Sequence, residues 1–204
     1  MGISERKERQ RKEVRESILS SAWELVNQDG WLNLSIRKIA DAIEYSVPVV
    51  YDHFENKEAI LSEFNRRGFQ LMTENLAEAK ARQTNHKQQL EDVAVAYWDF
   101  AFQNKEYYQL MFGLGMPTCE SLTKVPELSA FISVISTTIN QIAGLPQDST
   151  EIWLKIHSFW SMIHGLVSIN LVAPPVSHLN MNPDEFNKAI LKDFIKSFIK
   201  GLET

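Results

Sequence analysis

Apolar residues recur at three- and four-residue intervals along nearly the whole chain, a spacing that buries one face of a helix and suits no strand. Val14, Ile18, Ala22 and Leu25 make the first such stripe, widened by Leu19 and Val26, and Gly30 is placed to cap its end. Ser35 then opens a short helix through Ile43, and Ser46 opens another with Pro48 in its first turn. Asn56 caps a longer helix from Lys57 to about Arg82. The polar run "QTNHKQQ" reads as a bend. Helical spacing resumes over Leu90, Val93, Ala94, Tyr97 and Ala101, and again over Tyr107–Phe112. "GLGMPTCESLTKVP" is the plainest loop, because glycine and proline interrupt helices. Further helices are expected over Leu128–Ile142, ended by Gly144 and Pro146, and from Ser149 or Thr150 to before Pro174. The last begins with Asn182 as cap, Pro183 at the first position and Glu185 at the third, a capping-box arrangement. The expected class is all-α, with about nine helices.

Short helices with brief turns give way near residues 57–65 to long helices with wide apolar faces. This predicts an N-terminal domain over residues 1–56 and a C-terminal helical domain over 57–204. The length of 204 residues supports a sizeable core. A single cysteine, Cys119, allows no intrachain disulfide and suits a reducing cytoplasm. The charged N-terminus has no signal-peptide pattern, and Arg6 stands where a myristoylation motif needs Ser or Thr. The most apolar run, Ile156–Val172, contains His157, His164 and Asn170 and falls short of the ~20 apolar residues of a membrane span. A cytoplasmic protein with no membrane partner is expected.

The net charge of −5 argues against a chain coated in nucleic acid. The charge is uneven, however: Arg6, Lys7, Arg9, Arg11, Lys12 and Arg15 outnumber the acids of residues 1–15. Such a segment can be a basic arm on phosphates or a solvated helix start with Glu/Lys pairs.

The stretch "LSIRKIADAIEYSVPVVYDHFENKEAIL", residues 34–61, places Ile36, Ile39, Ala40 and Ile43 on one face, with Val50 and Phe54 able to close over them. Two short helices joined by a three-residue turn make a helix-turn-helix pattern, whose second helix can enter the major groove of DNA. Lys57 adds a cation beside a helix N-terminus, and both can hold a phosphate.

Ser35, Ile39-Ala40, Tyr51-Asp52-His53-Phe54, Lys57-Glu58 and Leu61 together resemble the N-terminal domain of the TetR (tetracycline repressor) family of bacterial transcription regulators, over about residues 12–62. The resemblance implies a three-helix DNA-binding head, a homodimer and a C-terminal domain that binds a small molecule. By position, it implies that Ser35 and Lys57 hold phosphates and that Arg37 faces DNA. Ser46, Val47, Pro48 and Val49 would open the reading helix, with Tyr51 meeting the backbone and His53 a further contact. This sequence departs from the pattern at Glu44, where the turn usually has glycine, and at Tyr45. Glu44 at positive φ would cost roughly 1 kcal/mol and suggests an altered turn. Val47-Pro48-Val49 also replaces residues that can donate hydrogen bonds. Apolar side chains can pack on thymine methyls, so readout would lean on these, on Arg37, Tyr51 and His53, and on DNA shape.

Further along, Trp153, His157, Trp160 and His164 share one helix face. The two histidines lie about 10 Å apart along the axis, too far to chelate one metal ion. The face can line a ligand pocket or belong to a core with satisfied histidines. "FWSMIHGLVSI" resembles the Trp-x-x-x-His-Gly signature of a TetR subgroup with a WHG-type C-terminal domain, through Trp160, His164 and Gly165. "YWDFAFQNKEYYQLMFG" resembles the same subgroup. The implied inducer pocket takes in Trp98, Phe102, Tyr108, Met111, Phe112, His157, Trp160 and His164. The histidine of the signature could instead be structural, bonded to a backbone carbonyl.

In the last helix, Phe186, Ile190, Phe194, Phe198 and Leu202 recur every four residues, with Leu191, Ile195 and Ile199 beside them. That face is too wide for a single contact. The resemblance implies a dimer interface formed by the last two helices, using Phe186, Ile190, Phe194, Ile195 and Phe198. Lys188, Lys192, Lys196 and Lys200 repel one another unless solvated or facing acids.

Enzyme motifs such as Gly-x-Ser-x-Gly, a phosphate-binding glycine loop or His-Glu-x-x-His are absent from the sequence, and neither a metal nor a cofactor is expected. Cys119 has Glu120 beside it, which discourages a thiolate. The reading is a ligand-responsive, homodimeric repressor on a pseudo-palindromic double-stranded operator, released by a small-molecule inducer. The alternative is a helical ligand-binding or adaptor protein with a degenerate DNA-binding surface.

Overall fold

The computed structural model describes residues 2–114, 126–172 and 182–203. Among them it is all-α. The helices are α1 (Ile3–Asp29), α2 (Ile36–Ala42), α3 (Val47–Tyr51), α4 (Lys57–Ala81), α5 (His86–Gln103), α6 (Lys105–Phe112), α7 (Pro126–Ala143), α8 (Thr150–Val172) and α9 (Pro183–Leu202). A 3-10 turn, Trp31–Asn33, follows α1. Most of the loop expected before Pro126, with Cys119, and the Pro174-Pro175 turn lie outside the described residues.

The caps explain most of these boundaries. Gly30, at φ 76°, ends α1, and its N–H bonds Val26 O at 2.8 Å. Ser35 Oγ accepts from Lys38 N–H at 3.2 Å, and Asn56 Oδ1 from Ala59 N–H at 2.8 Å. At α9, Asn182 accepts from Asp184 N–H at 2.9 Å. One boundary differs from expectation. Helix α5 starts at His86, inside the expected bend, because Asn85 accepts from both Lys87 N–H and Gln88 N–H. The basic segment forms the opening turns of α1, as in its reading as a solvated helix start, with Arg9–Glu13 and Lys12–Glu8 pairs along its exposed side.

The chain forms two compact units. The first comprises the described residues of Met1–Arg66 and Glu106–Val125. Its core joins Ile18, Leu19, Ala22 and Val26 of α1 to Ile36, Ile39, Ala40, Val50, Phe54, Ile60, Phe64 and Leu110. An aromatic cluster closes it: Trp23 stacks on Tyr107 at 4.2 Å and on Phe64 at 5.6 Å, and Trp31 meets Phe64 edge-on at 5.4 Å. Trp31 Nε1 also donates to Glu106 O at 2.7 Å.

The second unit comprises Arg67–Lys105 and the described residues of Pro126–Thr204. Leu90, Val93, Tyr97 and Phe100 of α5 are buried, as are Phe131, Ile135 and Ile139 of α7. From α8 come Ile152, Ile156, Phe159, Ile163 and Val167, and from α9 Leu191, Ile195 and Ile199. Two polar bonds fasten α9 to α8: Asn187 Nδ2 donates to Asn170 Oδ1 at 2.5 Å, and Lys155 Nζ to Gly201 O at 2.7 Å.

Candidate functional site

Helix α3 has only five residues, too few to hold itself together, so its neighbours must position it. Val50 and Phe54 anchor it inward, at 0% and 3% exposure. Its outer residues are then left for a partner. Pro48 and Ser46 are exposed, Val47 and Val49 half-buried, and Tyr51 is 50% exposed. Arg37 on α2 is exposed as well, while Ser35 is half-buried. Ser46 sits at the cap position of α3 without a side-chain cap bond.

The turn between α2 and α3 keeps a glycine-type geometry without a glycine. Glu44 has φ 59°. Tyr45 N–H bonds Ala40 O at 3.0 Å, and Glu44 N–H bonds Asp41 O at 3.2 Å. This is the Schellman pattern, which satisfies the last carbonyls of α2. The altered turn expected from Glu44 is therefore not adopted; the residue takes the left-handed conformation instead. Glu44→Gly should stabilise the protein by roughly 0.5 kcal/mol, because relief of that conformation outweighs glycine's extra unfolded-state freedom. Urea denaturation measures this, and a lowered midpoint would contradict it.

Lys57 is half-buried, and its Nζ donates to Trp31 O at 3.3 Å. One of its three donors is thus used within the protein, which fixes where the ammonium sits. His53 is half-buried, with its pKa lowered by burial and by Arg11 and Arg15, against an opposing effect of Asp52. Its ring is therefore neutral over a wider pH range than a free histidine's. Two residues of the basic segment also meet this site, through contacts that sequence spacing did not reveal. Arg11 Nη2 donates to Asp52 O at 3.4 Å and Arg15 Nη1 to His53 O at 3.2 Å, gripping the carbonyl end of α3 from α1. A cleft of ≈ 520 Å³ runs beside them, lined by Lys7, Gln10, Arg11, Tyr45, Val49 and His53 among others.

In the second unit, Trp153, His157, Trp160 and His164 do share one face of α8. Consecutive ring centroids lie 6.2, 6.4 and 6.5 Å apart. His157 is exposed, whereas His164 is half-buried. Tyr97 Oη lies 3.4 Å from His164 Nδ1 and Ser168 Oγ 3.3 Å from its Nε2. Both ring nitrogens thus meet side-chain hydroxyls, and burial lowers the imidazole pKa. Trp98 is buried, with its ring centroid 4.5 Å from that of Phe102 and tilted to it by 40°, and Phe102 is 40% exposed. Tyr108, Met111 and Phe112 lie on α6, in the first unit, so neither unit holds all eight expected pocket residues. Trp153 lines a cleft of ≈ 240 Å³ with Ser133, Thr137, Asn140, Asp148 and Ile156. Among the described residues, no group of three or more His, Cys, Asp or Glu is placed to hold a metal ion.

Helix α8 also carries an exposed apolar stripe that sequence spacing did not single out. Leu154, Met162, Ile169 and Val172 are 63%, 36%, 64% and 77% exposed. Ser158, Ser161 and Gly165 fall between them, all within an arc of about 100°. A Cβ added at Gly165 would meet nothing within 4 Å. On α9, Phe186, Ile190, Phe194 and Phe198 are half-buried, while Ile195 is only 2% exposed and lies inward. Phe159 of α8 sits 6.3 Å from Phe194 and 5.4 Å from Phe198. The four lysines of α9 are exposed, and Lys188 pairs with Asp184 at 2.8 Å.

Comparisons with known proteins cover both units. Residues 18–64 match the family described as bacterial regulatory proteins, tetR family, and residues 90–194 match the tetracyclin repressor-like C-terminal domain. The HTH-type transcriptional activator FasR of Mycolicibacterium smegmatis is 25% identical over 161 residues, 79% of this chain and 70% of its own. A protein of unknown function from Rhodococcus sp. RHA1 superposes with a TM-score of 0.74 at 20% identity, over 93% of this chain and 95% of its own. The TetR family transcriptional regulator PfmR of Thermus thermophilus does so with a TM-score of 0.60 at 18% identity, over 88% and 97%. The two superpositions speak for the fold.

Proposed function

The chain belongs to the tetR family of bacterial regulatory proteins, and from that premise we propose that it is a homodimeric repressor, released from a pseudo-palindromic DNA operator by a small molecule. It is a DNA-binding transcription regulator by family, and its family matches are to regulators and not enzymes. The observation that carries the reading is the two-sidedness of α2 and α3. Ile36, Ile39, Val50 and Phe54 face inward, while Arg37, Ser46, Pro48 and Tyr51 are left outward. A degenerate surface would have no reason to keep α3 so held at its carbonyl end.

In the proposed complex α3 lies in the major groove. Val47, Pro48 and Val49 pack on thymine methyls, and Arg37, Tyr51 and His53 meet base edges or backbone. Ser35 and Lys57 hold phosphates. The α8 stripe supports pairing of two copies, with Phe186, Ile190, Phe194 and Phe198 of α9 at its margin. A standard interface covers about 800 Å² per partner, a scale that two such helices can supply. The inducer would lie along the aromatic and histidine face of α8, with His164 oriented by Tyr97 and Ser168. No described helix is long and apolar enough to cross a membrane, which agrees with work in the cytoplasm. FasR is an activator by name, so the sign of regulation needs its own assay, transcription with and without the protein.

The test is selection of duplexes from a random-sequence pool. A repressor of this design enriches an inverted repeat and binds it with steep salt dependence. Recovery of no enriched sequence would favour the adaptor alternative. On the selected duplex, Lys57→Ala should weaken all sequences alike, whereas substitution of Val49 should change which sequence is preferred. Equal loss on every sequence from a Val49 change would refute that residue's role.

A further inference from the structure

Arg15 lies on α1, outside the helix-turn-helix, yet it touches three parts of the first unit at once. Its Nη1 donates to His53 O at the carbonyl end of α3. Its guanidinium carbon sits 4.1 Å over the Phe54 ring. Its Nη2 lies 3.7 Å from Glu63 Oε2 on α4. Glu63 is itself held, because Arg66 bonds it in a fork at 2.8 and 3.3 Å. The Glu63 side chain is only 15% exposed and that of Arg15 38%, so solvent screens this pair less than an open surface pair.

We propose that Arg15 is a positioning residue for DNA reading: it fixes the carbonyl end of α3 and makes the placing of α3 depend on Glu63 of α4. The inference rests on the DNA-reading function above. Its physical basis is that α3 is too short to set its own direction. Val50 and Phe54 fix its depth in the core, but a helix seated on two apolar side chains can still pivot about them. The planar guanidinium removes that freedom. It stacks on Phe54, donates to a carbonyl of the same segment, and is braced from behind by a carboxylate on another helix. Lysine has the charge but not the fork or the flat face, so it cannot hold all three. Arg11, which bonds Asp52 O, adds a second grip from α1 without reaching α4. Helix α4 continues from Glu63 into the second unit. A displacement of α4 would therefore reach α3 through this ion pair as well as through the core that Ile60 and Phe64 share with Val50 and Phe54.

The experiment compares Arg15→Lys, Glu63→Gln and the double variant with the unaltered protein. The probes are the duplex enriched from the random pool and a scrambled duplex of equal length. Arg15→Lys should lower affinity for the selected duplex about tenfold while changing the scrambled duplex by less than about twofold, with the salt slope unchanged. Glu63→Gln, which alters no residue assigned to DNA, should act in the same direction. The double variant should be less than additive on the selected duplex. A direct phosphate contact would instead weaken both duplexes equally and reduce the salt slope by about one with Arg15→Gln, and that result overturns the proposal. So does selectivity left intact in Arg15→Lys while its melting temperature falls, since that is the mark of a merely structural residue. If the unaltered protein enriches no duplex, the DNA-reading premise fails by itself. Amide hydrogen exchange then decides the coupling: Glu63→Gln should speed exchange at Asp52, His53 and Phe54 and spare α2, and unchanged exchange there overturns it.

Discussion

Gly165→Leu should leave a folded protein that no longer pairs with a second copy and binds its duplex at least about a hundredfold more weakly, as one half-site replaces two. The glycine stands in the middle of α8, where it lowers helix propensity by about 1 kcal/mol relative to alanine. Among the described residues no neighbour in the same chain requires it, because an added Cβ meets nothing within 4 Å. Leucine there should therefore raise the stability of the separated chain, if it changes it at all. Its cost falls on the approach of a second helix, to which Ser158, Ser161 and Gly165 offer a low ridge between Leu154 and Ile169. Sedimentation equilibrium reads the mass, and circular dichroism on heating confirms the fold. A Gly165→Leu protein that still sediments as a dimer would show that the α8 stripe is not the contact.

Trp31→Ala should cost about 3–5 kcal/mol, a large share of the ~5–15 kcal/mol that holds a protein of ordinary stability. The side chain is 4% exposed. It meets Trp23 at 6.0 Å and Phe64 at 5.4 Å, and donates its indole N–H to Glu106 O. Alanine leaves a cavity and a carbonyl that has lost its donor. Trp31→Phe keeps much of the ring and isolates the hydrogen bond, at about 1–2 kcal/mol plus a smaller cavity term. Urea unfolding followed by tryptophan fluorescence measures both. A loss under about 1 kcal/mol in the alanine variant would mean that the cluster closes over the gap.

The helices were legible from the sequence because their ends are local chemistry. Gly30, Ser35, Asn56 and Asn182 each lie within a few residues of the groups they cap. Glu44 was legible only in part. Its residue type suggested a changed turn, but the carbonyls at the end of α2 need two donors at fixed positions, and the backbone takes the left-handed step to supply them. Contacts between distant residues left no local trace. Trp31 meets the carbonyl of a residue 75 positions away, and Lys57 one 26 away. Spacing placed His164 on the Trp/His face of α8, but it could not reveal Tyr97 and Ser168 beside its ring nitrogens. The exposed side of α8 was obscured for another reason: its apolar residues alternate with Ser and Gly, so it lacks the density of the α9 stripe that drew attention instead.

Helix α6 completes the core of a unit whose other described helical residues all lie before residue 67, and it does so with Tyr107 and Leu110. The reading head is consequently no detachable module. An excised fragment ending at residue 66 would leave Trp23, Trp31 and Phe64 uncovered in water and should clump rather than fold. Anyone grafting this head onto another effector domain has to carry the 105–112 segment along, or supply a substitute that covers the same indole rings.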